Sequence, residues 1–188
     1  KITTAVPGGC NIGNRSLDAH FDGFGKLGYT VAVNGESIGI EQHGQPQSHI
    51  TMSEFSVTAT ENMLLASVIG DHSVTFDCCA ADPSVQDLCW FLQEAGAMID
   101  GIGTHMLTVR GVQRLKPVEY TIMPDPLEVG TFIALAGATK SKISIVDAAP
   151  QFLGLPLLKF EAAGLSFTYT NMRPDSGKKY KIGTIIPH

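Results

Sequence analysis

The residues best suited to chemistry lie near the start of the chain, in Val6-Pro7-Gly8-Gly9-Cys10-Asn11-Ile12-Gly13-Asn14-Arg15. Three glycines and a proline make this a loop, and the loop presents a thiol. Arg15 follows just before a helix start. A thiol beside a guanidinium and a helix N-terminus is more acidic than a free one. It can then act as a nucleophile or carry a proton near neutral pH. The same surroundings suit a phosphate or carboxylate ligand. On local chemistry alone a plain turn with an incidental cysteine is the commoner meaning of such a pattern, since most cysteines are structural. Ser56-Val57-Thr58 precedes an apolar helix, where free N–H groups suit a phosphate, or where Ser or Thr simply caps the helix. Asp18 and Asp125 either cap or bind.

The other reactive side chains read as structural. Cys78, Cys79 and Cys89 lie in or beside apolar segments and read as packing, and the four cysteines form no CxxC pair or metal-ligand spacing. The six histidines have no partner at a recognisable spacing, so each reads as a surface or loop residue. Trp90 lies beside its helix's apolar stripe and reads as partly buried. No metal or cofactor is implied. The formal net charge is −5 with no basic block, which argues against nucleic acid as a partner and leaves room for a local small-anion pocket. No apolar run reaches the ~18 residues that cross a membrane. The first residues do not have the form of a secretion signal, so reduced thiols and a cytoplasmic setting are expected.

These side chains need elements to hold them, and the chain supplies them by repetition. Three segments follow one order: apolar helix, glycine stop, strand, turn, strand. The helices run Leu17 to Leu27, Gln86 to Ala95 and Leu155 to Ala163, and the stops are Gly28, Gly96 and Gly164, each 68 residues from the next. Each glycine stands where a helix needs a left-handed cap. The strands are Tyr29 to Val33 with Ser37 to Ile40, Ala97 to Ile99 with Met106 to Val109, and Leu165 to Tyr169 with Lys179 to Ile182. Asn34-Gly35 suits a two-residue hairpin turn. Stripes at Leu17, Phe21, Phe24 and Leu27, and at Leu88, Phe91, Leu92 and Ala95, give two of the helices an apolar face. Two further helices, Thr60 to Ile69 and Val129 to Thr139, are apolar almost all round, which predicts that both are buried. Each precedes a strand, at Val74 to Cys78 and at Ile143 to Val146. The fold class is α/β. Met123-Pro124-Asp125-Pro126 marks a plausible boundary.

These residues resemble the enolpyruvyl transferases, and within them the branch whose active loop reads PGGCxIGxR, matched here by Pro7 to Cys10, Ile12, Gly13 and Arg15. Further matches are Ser56-Val57, Ala59 to Asn62, Gly103-Thr104, Gly111 to Leu115, Pro124-Asp125, Glu128 and Gly130 to Phe132. The resemblance covers essentially the whole chain. It implies tandem βαβαββ units with buried helices, the inside-out α/β barrel of that family, present here incompletely. Residues 1–124 would be the later part of the domain carrying the active-loop cysteine, and 125–188 the start of a unit of the second domain. The remainder of the two-domain chain would be missing.

The implied reaction moves an enolpyruvyl group from phosphoenolpyruvate to the 3′-hydroxyl of UDP-N-acetylglucosamine, the first committed step of peptidoglycan synthesis. Cys10 would form an adduct with phosphoenolpyruvate and serve in acid–base work. Arg15 would bind the anionic substrates. Ser16, Leu17, Asp18 and Ala19 would line the uridine pocket with it. Ser56 and Val57 would serve the diphosphate, and Asp125 would sit near the domain crossing. The family has proline at Ser16, lysine at Glu54, glycine at Thr58 and arginine at Ala81 and Pro126. Three lost cations weaken the case for a diphosphate nucleotide. The alternatives are a degenerate homologue that binds a ligand or partner without catalysis, and the shikimate-pathway sister synthase, against which Cys10 argues.

Overall fold

The computed structural model describes residues 2–5 and 16–188, so the expectations for Cys10 and Arg15 fall outside the described residues. The chain divides into two compact units, Lys1–Glu119 and Tyr120–His188.

The first unit contains β1 (Ile2–Ala5), α1 (Asp18–Lys26), β2 (Tyr29–Asn34), β3 (Ser37–Gln42), β4 (His49–Thr51), α2 (Val57–Ser67), β5 (Ser73–Asp77), α3 (Pro83–Glu94), β6 (Met98–Asp100) and β7 (Met106–Arg110). Its second sheet has the order β4-β5-β7-β6, with β4 parallel to β5 and β7 antiparallel to both its neighbours. The sequence β4-α2-β5-α3-β6-β7 is therefore one complete βαβαββ repeat. Its sheet alternates inward and outward residues as a pleat requires. Val74 and Phe76 pair with Val109 and Leu107, all buried, while Thr75 and Thr108 face away and meet hydroxyl to hydroxyl at 3.0 Å. One core joins this inner face to Ala59, Met63 and Leu64 of α2 and to Val85, Cys89 and Leu92 of α3.

The other two repeats have the same strand order. The first pairs β1-β3-β2, all antiparallel. In the second unit, α4 (Pro126–Thr139), β8 (Ile145–Ala148), α5 (Gly154–Ala162), β9 (Phe167–Pro174) and β10 (Lys181–Pro187) form the sheet β8-β10-β9. In each case the last strand lies between the other two. The three stop glycines all take left-handed backbone, with φ of 85, 104 and 96° at Gly28, Gly96 and Gly164. The duplicated α/β architecture is as the repeat predicts.

Several local expectations need correction. The hairpin turn is Gly35-Glu36, one residue later than Asn34-Gly35, because Asn34 pairs with Ser37 and leaves Gly35 at φ 61° to open the turn. Helix α3 begins at Pro83, whose fixed φ suits a first turn. It buries Val85, Cys89 and Leu92, while Phe91 is exposed. Strands β9 and β10 run longer than read. The turn between them is tied by Asp175, whose carboxylate accepts from the N–H groups of Gly177 and Tyr180.

The largest correction concerns α4. Helix α2 buries Ala59, Thr60, Met63, Leu64 and Ser67 and exposes little beyond Thr58 and Leu65. Helix α4 buries only Val129, Ile133 and Ala136, while Leu127, Phe132 and Leu135 are 80%, 50% and 52% exposed. It is apolar all round, yet the single sheet of its unit covers one side only.

Two glycine substitutions separate backbone strain from crowding. At Gly96 an added β-carbon meets nothing within 4 Å, so Gly96→Ala costs only the left-handed conformation, about 1–2 kcal/mol. At Gly28 the added carbon would lie 2.6 Å from the Gly44 carbonyl oxygen. Urea denaturation of the two variants is expected to show the larger loss for Gly28→Ala.

Candidate functional site

Helices α1 and α2 pack together with their first turns as neighbours, and His20 makes the junction. Asn62 of α2 lies 2.8 Å from His20 Nδ1, and Thr58 Oγ1 lies 3.3 Å from Nε2. One arrangement satisfies both contacts: the Asn62 amide donates to Nδ1, and Nε2–H donates to the threonine hydroxyl. That is a neutral imidazole in a defined tautomer. One turn further along, Gly23 is buried so close to Met63 that a β-carbon there would fall 2.5 Å from the sulfur. The absent side chain at Gly23 lets the two helices approach.

This packing brings the Ser16–Ala19 segment to the start of α1 and Ser56–Val57 to the start of α2. Ser16 Oγ accepts from the Asp18 N–H at 3.0 Å. Asp18 is the first residue of α1 and Ala19 is buried, with Leu17 half-buried at the helix cap. Ser56 caps α2, its hydroxyl accepting from the Ala59 N–H at 3.3 Å and its carbonyl from Thr60. The capping reading of Ser56 is what the structure displays. Asp125 likewise caps α4, accepting from the Leu127 N–H at 2.8 Å, and it belongs to the other unit. The remaining N–H groups of the first turn of α2 are the ones a helix leaves for an anion.

The electrostatics at this mouth are unfavourable to a highly charged anion. Glu54 lies close enough to act on His20, and no ion pair among the described residues joins a Lys or Arg to it. Burial holds the His20 imidazole below its ordinary pKa, partly offset by the Glu54 charge. The sequence reading missed His20, because its partners lie 38 and 42 residues away. It missed His49 and His105 for the same reason. His49, on strand β4, pairs with Asp77 at 2.5 Å, and His105 bonds the Cys79 carbonyl at 2.8 Å.

The described thiols divide by burial. Cys79 and Cys89 are in the core, and burial pushes both up to about 12. Cys78 is half-buried in a shallow groove with Phe55, Asp77 and His105. Among the described residues, no group of three His, Cys, Asp or Glu side chains is placed to hold a metal. No helix among them is long and apolar enough to cross a membrane.

The His20 junction makes a pH prediction. The folded state holds His20 neutral, so the unfolded chain binds the extra proton below the ordinary value of 6.5. Stability from this group is present above that value and is lost as pH falls toward the depressed folded pKa. Denaturant titrations across this range should show a steeper acid loss for the native sequence than for His20→Gln. Equal slopes would separate His20 from the pH response.

Comparison with known proteins places the chain in a family. A family model for EPSP synthase (3-phosphoshikimate 1-carboxyvinyltransferase) matches residues 1–173. The chain is 38% identical over 171 residues to a UDP-N-acetylglucosamine 1-carboxyvinyltransferase of Hydrogenovibrio crunogenus, covering 91% of this chain and 41% of that protein. Over 187 residues it is 34% identical to the same-named protein of Koribacter versatilis, covering 100% of this chain and 42% of that one. It thus spans about two fifths of the length of these relatives. Among solved structures, the enolpyruvyl transferase NikO of Streptomyces tendae matches with a TM-score of 0.70 at 20% identity, over 99% of this chain and 43% of that one. An EPSP synthase of Acinetobacter baumannii matches at 0.68 and 16%, over 99% and 42%. Those two structures share its fold, and the family match, with relatives at 34–39% identity, shows that the chain belongs to the EPSP synthase family of enolpyruvyl transferases.

Proposed function

We propose that this chain is part of an enzyme that transfers the enolpyruvyl group of phosphoenolpyruvate to the 3′-hydroxyl of UDP-N-acetylglucosamine, releasing phosphate, in the cytoplasm and as the committed step of peptidoglycan synthesis. The carrying observation is the convergence of two N-termini. His20 ties the start of α1, which Cys10–Arg15 precede in the sequence, to Thr58 and Asn62 in the first turns of α2, next to Ser56–Val57. The reading is supported by the name of the relatives, UDP-N-acetylglucosamine 1-carboxyvinyltransferase. In this reading Cys10 is the catalytic thiol, forming an adduct with phosphoenolpyruvate and carrying a proton. Arg15 offsets substrate charge. Ser16 to Ala19 hold the uridine, and the first-turn N–H groups beside Ser56 and Val57 hold the diphosphate. Asp125, a residue of the second unit, is a substrate-binding residue in this reading.

A second reading, a homologue that binds without catalysis, is favoured by one observation. Glu54 puts a negative charge beside the mouth where a diphosphate would lie. A like charge there disfavours the ligand by an amount that grows as water is excluded.

The role given to Cys10 is tested on the 188-residue chain. Alkylation followed by mass spectrometry, and exposure to fosfomycin, the epoxide that attacks this branch's loop cysteine, are expected to modify Cys10 first. Cys79 and Cys89 should lag, since their thiols are buried and protonated. Faster modification at Cys78, Cys79 or Cys89 would remove Cys10 from the mechanism. The chain alone is expected to release no phosphate above background with both substrates. A reaction closed around its substrates needs the anion-binding shell of both domains, and misplacement of such groups by ~1 Å already costs about a hundredfold in rate. Steady turnover abolished by Cys10→Ala would show that the chain holds a complete site.

A further inference from the structure

The groove beside Cys78 gathers three soft donor groups that the reaction above does not use. It encloses about 400 Å³, and Cys78, His105 and Met106 line it together with Phe55 and Asp77. Strands β5 and β7 bring these residues to one place. Asp77 pairs with Met106, and the Cys79 N–H donates to the His105 carbonyl at 3.0 Å. Cys78 and His105 therefore stand opposite each other just past the end of that ladder. In a regular strand residues 77 and 78 would face opposite sides of the sheet. Cys78 takes left-handed backbone instead, with φ of 59°, which breaks the alternation and lets both line the groove.

Each donor is available. His105 Nδ1 lies 2.8 Å from the Cys79 carbonyl oxygen, which can only accept, so Nδ1 carries the proton and the neutral ring keeps its lone pair on Nε2. A backbone carbonyl in that position fixes the tautomer of a ligating imidazole. Neither Nε2 nor the Cys78 thiol has a hydrogen-bond partner among the described residues. Met106 is 53% exposed, and its thioether swings on three rotatable bonds. The carboxylate of the groove is already engaged, since Asp77 pairs with His49 at 2.5 Å. Thiolate, thioether and imidazole select a soft cation, whereas hard cations need oxygen. We propose that Cys78, His105 and Met106 form a binding site for a soft monovalent cation, Cu(I). The Cys78 thiol releases its proton to water as the Cu–S bond forms. Nε2 and the Met106 sulfur each donate a lone pair, and the metal keeps its oxidation state. Among the described residues no three His, Cys, Asp or Glu are placed for a metal, which agrees with a site whose third donor is a thioether. The site lies within the first unit and is independent of the reaction proposed above.

Anaerobic titration with Cu(I) against a chromogenic Cu(I) chelator tests it, on the Cys10→Ser chain so that the loop thiol does not compete. One equivalent of copper is expected to be retained, with X-ray absorption reporting two sulfur ligands and one nitrogen. Cys78→Ala should lower the affinity by at least about a hundredfold, and Met106→Leu and His105→Gln by at least about tenfold each. Losing a ligand costs no less than losing a group that supports one. Met106→Leu conserves size at an exposed position, so its effect is read on a folded chain, and circular dichroism checks the other two. Zn(II), which takes four donors, is expected not to displace the copper. Copper held equally well without Cys78 would overturn the proposal. An affinity indifferent to both Met106→Leu and His105→Gln would mean adventitious binding by a bare thiol and would overturn it equally, as would loss of all binding on replacing Cys10.

Discussion

A helix that is apolar on every side has to be covered on every side, and this demand organises the molecule. α2 is the case in which it is met. Its sheet takes one face, α3 joins the same core, and α1 takes another face. The requirement explains why the repeat exists. One sheet and one amphipathic helix cannot enclose such a helix, and a neighbouring repeat supplies the missing wall. It also explains Gly23, where any side chain would hold α1 away from Met63. α4 is the same kind of helix with fewer walls, so its leucines and phenylalanine face solvent.

The candidate site is a by-product of this enclosure. Packing α1 on α2 in this orientation aligns their first turns, and first turns carry unpaired N–H groups. Near those turns His20 meets Thr58 and Asn62 because the helices beneath them are packed together. His20 sits where structure and site overlap. It fastens Thr58 and Asn62, and its neutral state is favoured by the burial that helix packing creates. Glu54 opposes the anion-binding logic of the same place.

Much of this was legible in the residues. Gly28, Gly96 and Gly164 marked the repeat because a left-handed cap is a local demand that glycine meets best. Apolar stripes and apolar runs located the five α-helices and eight of the ten strands of the described residues, while β1 and β4 were not read. Ser56 and Asp125 read as caps or ligands, and both cap. What could not be read was set by distant partners. His20, His49 and His105 gain their roles from residues that only folding brings near. Phe91 lies on a sequence stripe yet faces out, because α3 turns Val85, Cys89 and Leu92 to the core. The all-round apolarity of α4 said what the helix needs and not how much cover its unit provides.

Amide hydrogen exchange on the chain at low concentration tests this account most directly, since protection follows burial and local stability. The account predicts slow exchange across the Val57–Ser67 helix and markedly faster exchange across Pro126–Thr139. Equal protection of the two helices, or slower exchange in the second, would contradict the claim that coverage of the apolar helix decides how this chain is built.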